Sequence, residues 1–149
     1  MPQAADRLVA LEDREAIRDL IARYGPLADR GDATGVAELW SSDGVYAVSG
    51  FGEATGHAAI AALITGPTHQ SLMAGGCAHV LGPVAIDLLG DEALARGHSL
   101  VLRHTSEGYT IYRASANRWH LRRETQGWRV MRRDNAPLDG QEAARRLFA

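Results

Sequence analysis

Leu8, Leu11, Ile17, Leu20, Ile21, Tyr24 and Leu27 fall at spacings dominated by three and four along the front of the chain. That is the period of one buried helix face, so the segment predicts an amphipathic helix. Gly25-Pro26 is expected to kink or end it, and Asp29-Arg30-Gly31 to follow as a break. Asp32 is placed to cap a second helix carrying Val36, Leu39 and Trp40. Ser41-Ser42-Asp43-Gly44 reads as a turn and Val45 to Val48 as a short strand. A third helix is expected from His57 to Ile64, closed by Gly66-Pro67.

In the second half the pattern changes to strands. Cys77 to Leu89, Ala93 to His104, Tyr109 to Arg122 and Trp128 to Arg133 are separated by turns at Gly90-Asp91, Ser106-Glu107-Gly108 and Gln126-Gly127. This predicts three antiparallel hairpins. Pro137 then breaks the chain ahead of a short amphipathic tail, Gln141 to Phe148. Helices followed by a run of antiparallel strands make an α+β fold, a cone-shaped curved sheet closed by three N-terminal helices. Such a cone has an interior where a small molecule can sit.

Composition narrows the picture. A chain of 149 residues with 46% hydrophobic and 23% charged residues is an ordinary globular domain, one domain over 1–149. The net charge of −2 gives no reason to expect nucleic-acid binding. No apolar run approaches the ~20 residues of a membrane span. The first twenty residues are charged and lack an apolar core segment, so no signal peptide is expected and a cytoplasmic location is. The single cysteine, Cys77, has no partner for an internal disulfide. Every basic residue is arginine, so a lysine Schiff base is excluded. The outer face of the sheet would be costly to expose, so a homodimer or homotrimer is expected.

The informative residues are polar ones on faces that otherwise read as buried. His79 lies among Val80, Leu81, Val84 and Ile86. By the period of two, His98, Leu100, Leu102 and His104 share one side of the second long strand. Tyr109, Ile111, Arg113, Ser115, Asn117, Trp119 and Leu121 share one side of the third. If these sides face one cavity, Asp29, His79, His104, Ser115 and Asn117 converge there, with Trp119 as a wall. Histidine takes and returns a proton near neutral pH, and a carboxylate bonded to it fixes its tautomer. Asn and Ser can hold a carbonyl or a developing enolate. Such a set can abstract a proton beside a carbonyl and expel water, with no metal or organic cofactor. No zinc or phosphate-loop motif is present. His98 and His104, six residues apart on a strand, stand ~20 Å apart and cannot share an ion. The Arg122-Arg123 and Arg132-Arg133 pairs flank a hairpin and read as a solvated face, with an anion-contacting rim as the alternative; no aromatic interleaving suggests nucleic acid.

Several segments resemble SnoaL-like proteins of the nuclear transport factor-like superfamily. They are Arg14 to Tyr24, Ala28 to Asp32, Glu38-Leu39-Trp40, Gly56 to Ile60 and Gly127 to Val130. The resemblance implies the α+β cone, and chemistry ranging from dehydration and isomerisation to polyketide cyclisation or none. In site pattern the chain is similar to scytalone dehydratase and lindane dehydrochlorinase. His79 and His104 stand 25 positions apart, Ser115-Ala116-Asn117 matches a Ser-x-Asn strand, and Asp29 takes the aspartate position. By that likeness His79 is the base, Asp29 its orienting partner and His104 a second acid–base group. Ser115 and Asn117 hold the substrate. The pattern departs at Ala28 and Val48, where scytalone dehydratase has tyrosines; Tyr46 and Tyr24 are placed to substitute. The resemblance therefore implies a cofactor-independent lyase acting on a small cyclic or polyketide-like molecule. An isomerase or cyclase using the same base, and a non-catalytic binding module, stand as alternatives.

Overall fold

A computed structural model describes residues 1–149. Four helices precede the long strands: α1 (Ala4–Asp29), α2 (Ala33–Ala37), α3 (His57–Thr65) and α4 (Pro67–Gly75). β1 (Trp40–Val48) and β2 (Gly52–Thr55) lie between α2 and α3. β3 (Cys77–Leu89), β4 (Glu92–Thr105), β5 (Gly108–Glu124), β6 (Gly127–Pro137) and α5 (Glu142–Arg146) complete the chain. The strands form one six-stranded sheet in the order β2-β1-β6-β5-β4-β3. Neighbours are antiparallel except β1 and β6, which are parallel. The register shifts between Leu81 and Val84, between Val101 and Leu102, and between His120 and Leu121. Each such bulge bends its strand, and together they curl the sheet without closing it. The fold is α+β, a curved open sheet with helices packed against it.

The core forms where α1 meets the sheet. Ile17, Leu20, Ile21, Tyr24 and Ala28 point inward against Ile86, Trp119, Leu121 and Val130. Leu8 and Leu11 do not join them and are 56% and 64% exposed, because the first turns of α1 have no neighbouring element to cover them. Asp13 bolts the middle of the helix to the sheet. Its carboxylate accepts two 2.7 Å bonds from Arg123 and a 3.0 Å bond from Trp128 Nε1.

Several local expectations are corrected. α1 continues through Gly25-Pro26, since Tyr24, Gly25 and Ala28 are buried and packing outweighs the lost bond. Asp32 caps α2 by accepting from the Gly35 N–H at 2.8 Å, but the helix stops at Ala37. Trp40 instead opens β1 and pairs with Val130, and Ser41 to Gly44 are part of that strand rather than a turn. Pro67 starts a fourth helix, where a missing N–H costs nothing. No helix is long and apolar enough to cross a membrane.

One contact sets the spacing between α1 and β3. A Cβ added to Gly25 would overlap the His79 carbonyl oxygen, so only glycine lets the helix lie this close to the strand. Alanine is favoured over glycine in a helix by ~1 kcal/mol. Gly25→Ala should nevertheless lower stability by about 1–3 kcal/mol through the forced separation. Thermal unfolding of the variant checks this; a rise in melting temperature would show that the close approach is not required.

Candidate active site

Asp29 is the last residue of α1 and faces the start of β3. Its carboxylate accepts the His79 backbone N–H at 3.0 and 3.1 Å and lies 2.7 Å from His79 Nδ1. A carboxylate only accepts, so Nδ1 carries the proton and Nε2 keeps its lone pair. The His79 side chain is 12% exposed and that of Asp29 27% exposed. Burial pulls the His79 pKa below its ordinary 6.5. The bond to Asp29 and its charge oppose that shift, and His69 and Arg133 add to it. The imidazole is therefore neutral near pH 7, the state a base requires.

His79 looks into a cavity of about 330 Å³ between the sheet, α3 and α4. Tyr24, Tyr46 and Ser115 also line it. Tyr24 is buried, which pushes its hydroxyl pKa well above the usual phenol value and keeps it a neutral donor. Asn117 and Trp119 sit beneath the wall. Asn117 accepts from Arg133 Nε and from Asn135 Nδ2, both at 2.9 Å, and donates to Ser99 at 2.8 Å. The Trp119 ring centroid lies 4.3 Å from the Arg133 guanidinium carbon.

His104 is not in the cavity. Its ring is exposed, 5.1 Å from that of Tyr109, and its Nδ1 lies 3.2 Å from the Gly75 carbonyl. The reason is strand parity. His79 pairs with Val101, and the buried positions of β4 are Ala93, Ala95, Gly97 and Ser99. The even-numbered stripe from His98 to His104 thus faces outward. Tyr109 and Ile111 are also exposed, because Tyr112 is an extra residue in the ladder and reverses the parity beyond Arg113.

Three polar residues of the site had no clear signal in the sequence. His69 lies on α4, donates from Nε2 to the Ala28 carbonyl at 2.7 Å, and its ring centroid is 5.3 Å from that of His79. Ser99 was hidden by the inverted parity of β4. Arg133, expected on a solvated face or an anion-contacting rim, is 2% exposed and lies over the rings of Tyr24, Tyr46 and Trp119. The extra residue Met131 turns it inward.

Asp29, Cys77 and His79 offer ligand atoms within 4.8 Å of one another. The fit to a cation is poor. Asp29 already takes both His79 N–H groups, and burial with the Asp29 charge pushes the Cys77 thiol pKa up, away from the thiolate a metal needs.

The SnoaL-like domain family matches residues 9–134. An NTF2-like protein with a cystatin-like fold from Novosphingobium aromaticivorans is 60% identical over 97% of this chain and 94% of that chain, with a TM-score of 0.96. A structure from Catenulispora acidiphila in complex with S-DNPA is 23% identical over 91% of this chain and 98% of that chain, with a TM-score of 0.75. Aln2 from Streptomyces sp. is 16% identical over 93% and 95%, also at 0.75. These last two share the fold. No curated protein matches the sequence.

The tug between burial and Asp29 can be measured. Imidazole resonances of His79, followed by NMR against pH, should titrate below 6.5, and lower still in Asp29→Asn, which removes the opposing charge. The unfolded chain binds this proton more tightly than the folded one. The contribution to stability is thus complete above pH 6.5 and is lost as pH falls toward the folded pKa. An unchanged or raised midpoint in Asp29→Asn would contradict the assigned pairing.

Proposed function

Because the chain belongs to the SnoaL-like family, we propose that it is a cofactor-independent lyase of the dehydratase type, acting on a small cyclic or polyketide-like molecule. The observation that carries this is the neutral, buried His79 held by Asp29 at the wall of an apolar cavity. His79 Nε2 takes a proton from carbon beside a carbonyl, and the C–H pair moves into an enolate. Asp29 stabilises the imidazolium that forms. The Arg133 guanidinium and the Tyr24 hydroxyl face the developing oxyanion. The enolate then collapses, the bond to the β-hydroxyl breaks, and the proton held on His79 leaves with it as water. One imidazole completes this cycle, so His104 has no part in it.

Isomerisation or ring closure by the same base is the second reading. It uses the same His79–Asp29 pair and the same oxyanion donors and needs no leaving group. The open cavity and the contact between His79 and Asp29 support catalysis over a purely structural module. Exposed Val80 and Ile111 on the outer sheet face support a homodimer or homotrimer. Light scattering that returned the single-chain mass of 16.0 kDa would overturn that part.

The test uses cyclic β-hydroxy ketones of the tetralone type in deuterated water. Turnover should give the dehydrated product, and His79→Ala should lower it by about 10²–10⁴-fold without loss of folding. Asp29→Asn should also fall steeply, and His104→Ala should match the native chain. Deuterium uptake without dehydration would favour the isomerase reading. Undiminished activity in His79→Ala would remove the base.

A further inference from the structure

The cavity wall carries two guanidinium groups, Arg113 and Arg133, and no Asp or Glu side chain. Several arginines outside the cavity do meet acids, among them Arg23 with Asp19, Arg96 with Asp87, Arg123 with Asp13 and Arg132 with Glu53. At the cavity every acceptor is neutral. Arg113 donates from Nε to Ser115 Oγ at 3.0 Å and to Asn135 Oδ1 at 3.1 Å, and from Nη2 to Asn135 Oδ1 at 2.8 Å. Asn135 in turn donates to Asn117 Oδ1, the acceptor of Arg133 Nε. These amide and hydroxyl oxygens fix both planar forks in place without cancelling their charge.

Arg133 makes the imbalance plain. It is 2% exposed, its Nη1 is buried without a partner, and the groups around its carbon are aromatic faces at 4.3 to 4.7 Å. Cation–π contact offsets part of the desolvation, yet a buried charge without a counter-ion is costly. Asp29, the acid bonded to His79, is already engaged. The missing negative charge is then supplied by what enters the cavity.

We propose that the ligand of this cavity is an organic anion, a ring-based carboxylate whose carboxylate group is taken by Arg113. The remaining wall is mainly apolar, with Val48, Leu63, Leu72 and Leu81 to pack a ring body. Arg113 is half-buried; Asn135 and Ser115 hold its Nε and Nη2 edge, and its Nη1 has no protein acceptor, so Nη1 offers a charge-assisted donor to an incoming carboxylate oxygen. Arg133 lies deeper and remains available to the oxyanion of the reaction. The proposal deepens the lyase reading by naming the charge class of its substrate, and so rests on that reading for the chemistry though not for the binding.

Calorimetric titration of the intact chain with naphthylacetate and with the neutral naphthylacetamide tests it. At neutral pH the acid should bind about tenfold tighter or more, the usual worth of a hydrogen bond to a charged group. Arg113→Gln should erase most of that preference, and Arg113→Lys, which keeps the charge, should retain part of it. His79→Ala should keep the preference while losing turnover, which separates failure of the base assignment from failure of the anion assignment. Equal affinity for acid and amide in the native chain would overturn the proposal, and so would binding of neither. Full preference in Arg113→Gln, or equal loss in the Lys and Gln variants, would overturn the role given to Arg113. The native comparison of acid with amide stands even if a variant fails to fold.

Discussion

The Asp29 carboxylate, accepting the backbone and ring N–H groups of His79 together, ties the end of the first helix to the first long strand. Much else depends on that joint. It closes one side of the cavity, sets the imidazole tautomer, and fixes where Nε2 points. Gly25, one turn earlier, allows the approach by leaving room for the His79 carbonyl. A helix end supplies an unusually good mount, because Asp29 is held by twenty-five preceding helical residues and by the buried packing of Ala28. A loop carboxylate would lose conformational entropy on making the same two bonds.

The electrostatics of the site follow from what is buried beside that pair. A carboxylate alone would favour the imidazolium, and burial favours the neutral ring. Burial is the larger effect here, and the Arg133 charge acts in the same direction. The Asp29 carboxylate offsets part of the cost of placing a proton on this buried imidazole, because its bond and charge favour the imidazolium while burial opposes it. The same guanidinium that discourages protonation of His79 attracts the negative charge created when His79 takes a proton from a ligand. Base strength and oxyanion stabilisation are thus coupled through one side chain.

How much of this was legible in the sequence depended on the length and regularity of each element. The inward face of α1 from Ile17 onward, α3 and the four long strands announce themselves by period. β2 has only four residues, and α4 buries a single side chain, the polar His69, so it shows no apolar stripe and Gly66-Pro67 reads only as a stop. Asp29 and His79 were visible as a helix-end acid and a histidine in an apolar strand. The inversion at His104 has a simple cause. Alternation tells which residues share a face but not which face is inside. Small residues at Ala93, Ala95, Gly97 and Ser99 mark the buried inner face of β4, whereas the larger even-numbered residues suggest the opposite.

Bulges carry the rest. Arg132 and Arg133 are adjacent, chemically identical and opposite in fate. Arg132 turns outward to Asp134 and Glu53, while Arg133 turns in beneath Tyr24 and Tyr46. Had β6 kept strict alternation from Trp128 and Val130, Arg132 would share their inward face and Arg133 would not. The unpaired Met131 reverses that order. One extra residue in a strand therefore decides which guanidinium is neutralised at the surface and which keeps its charge inside the cavity. The acids near β6 complete the selection: Glu53 and Asp134 lie on the outward side, and Asn135, an amide where a carboxylate would cancel the charge, lies on the inward one.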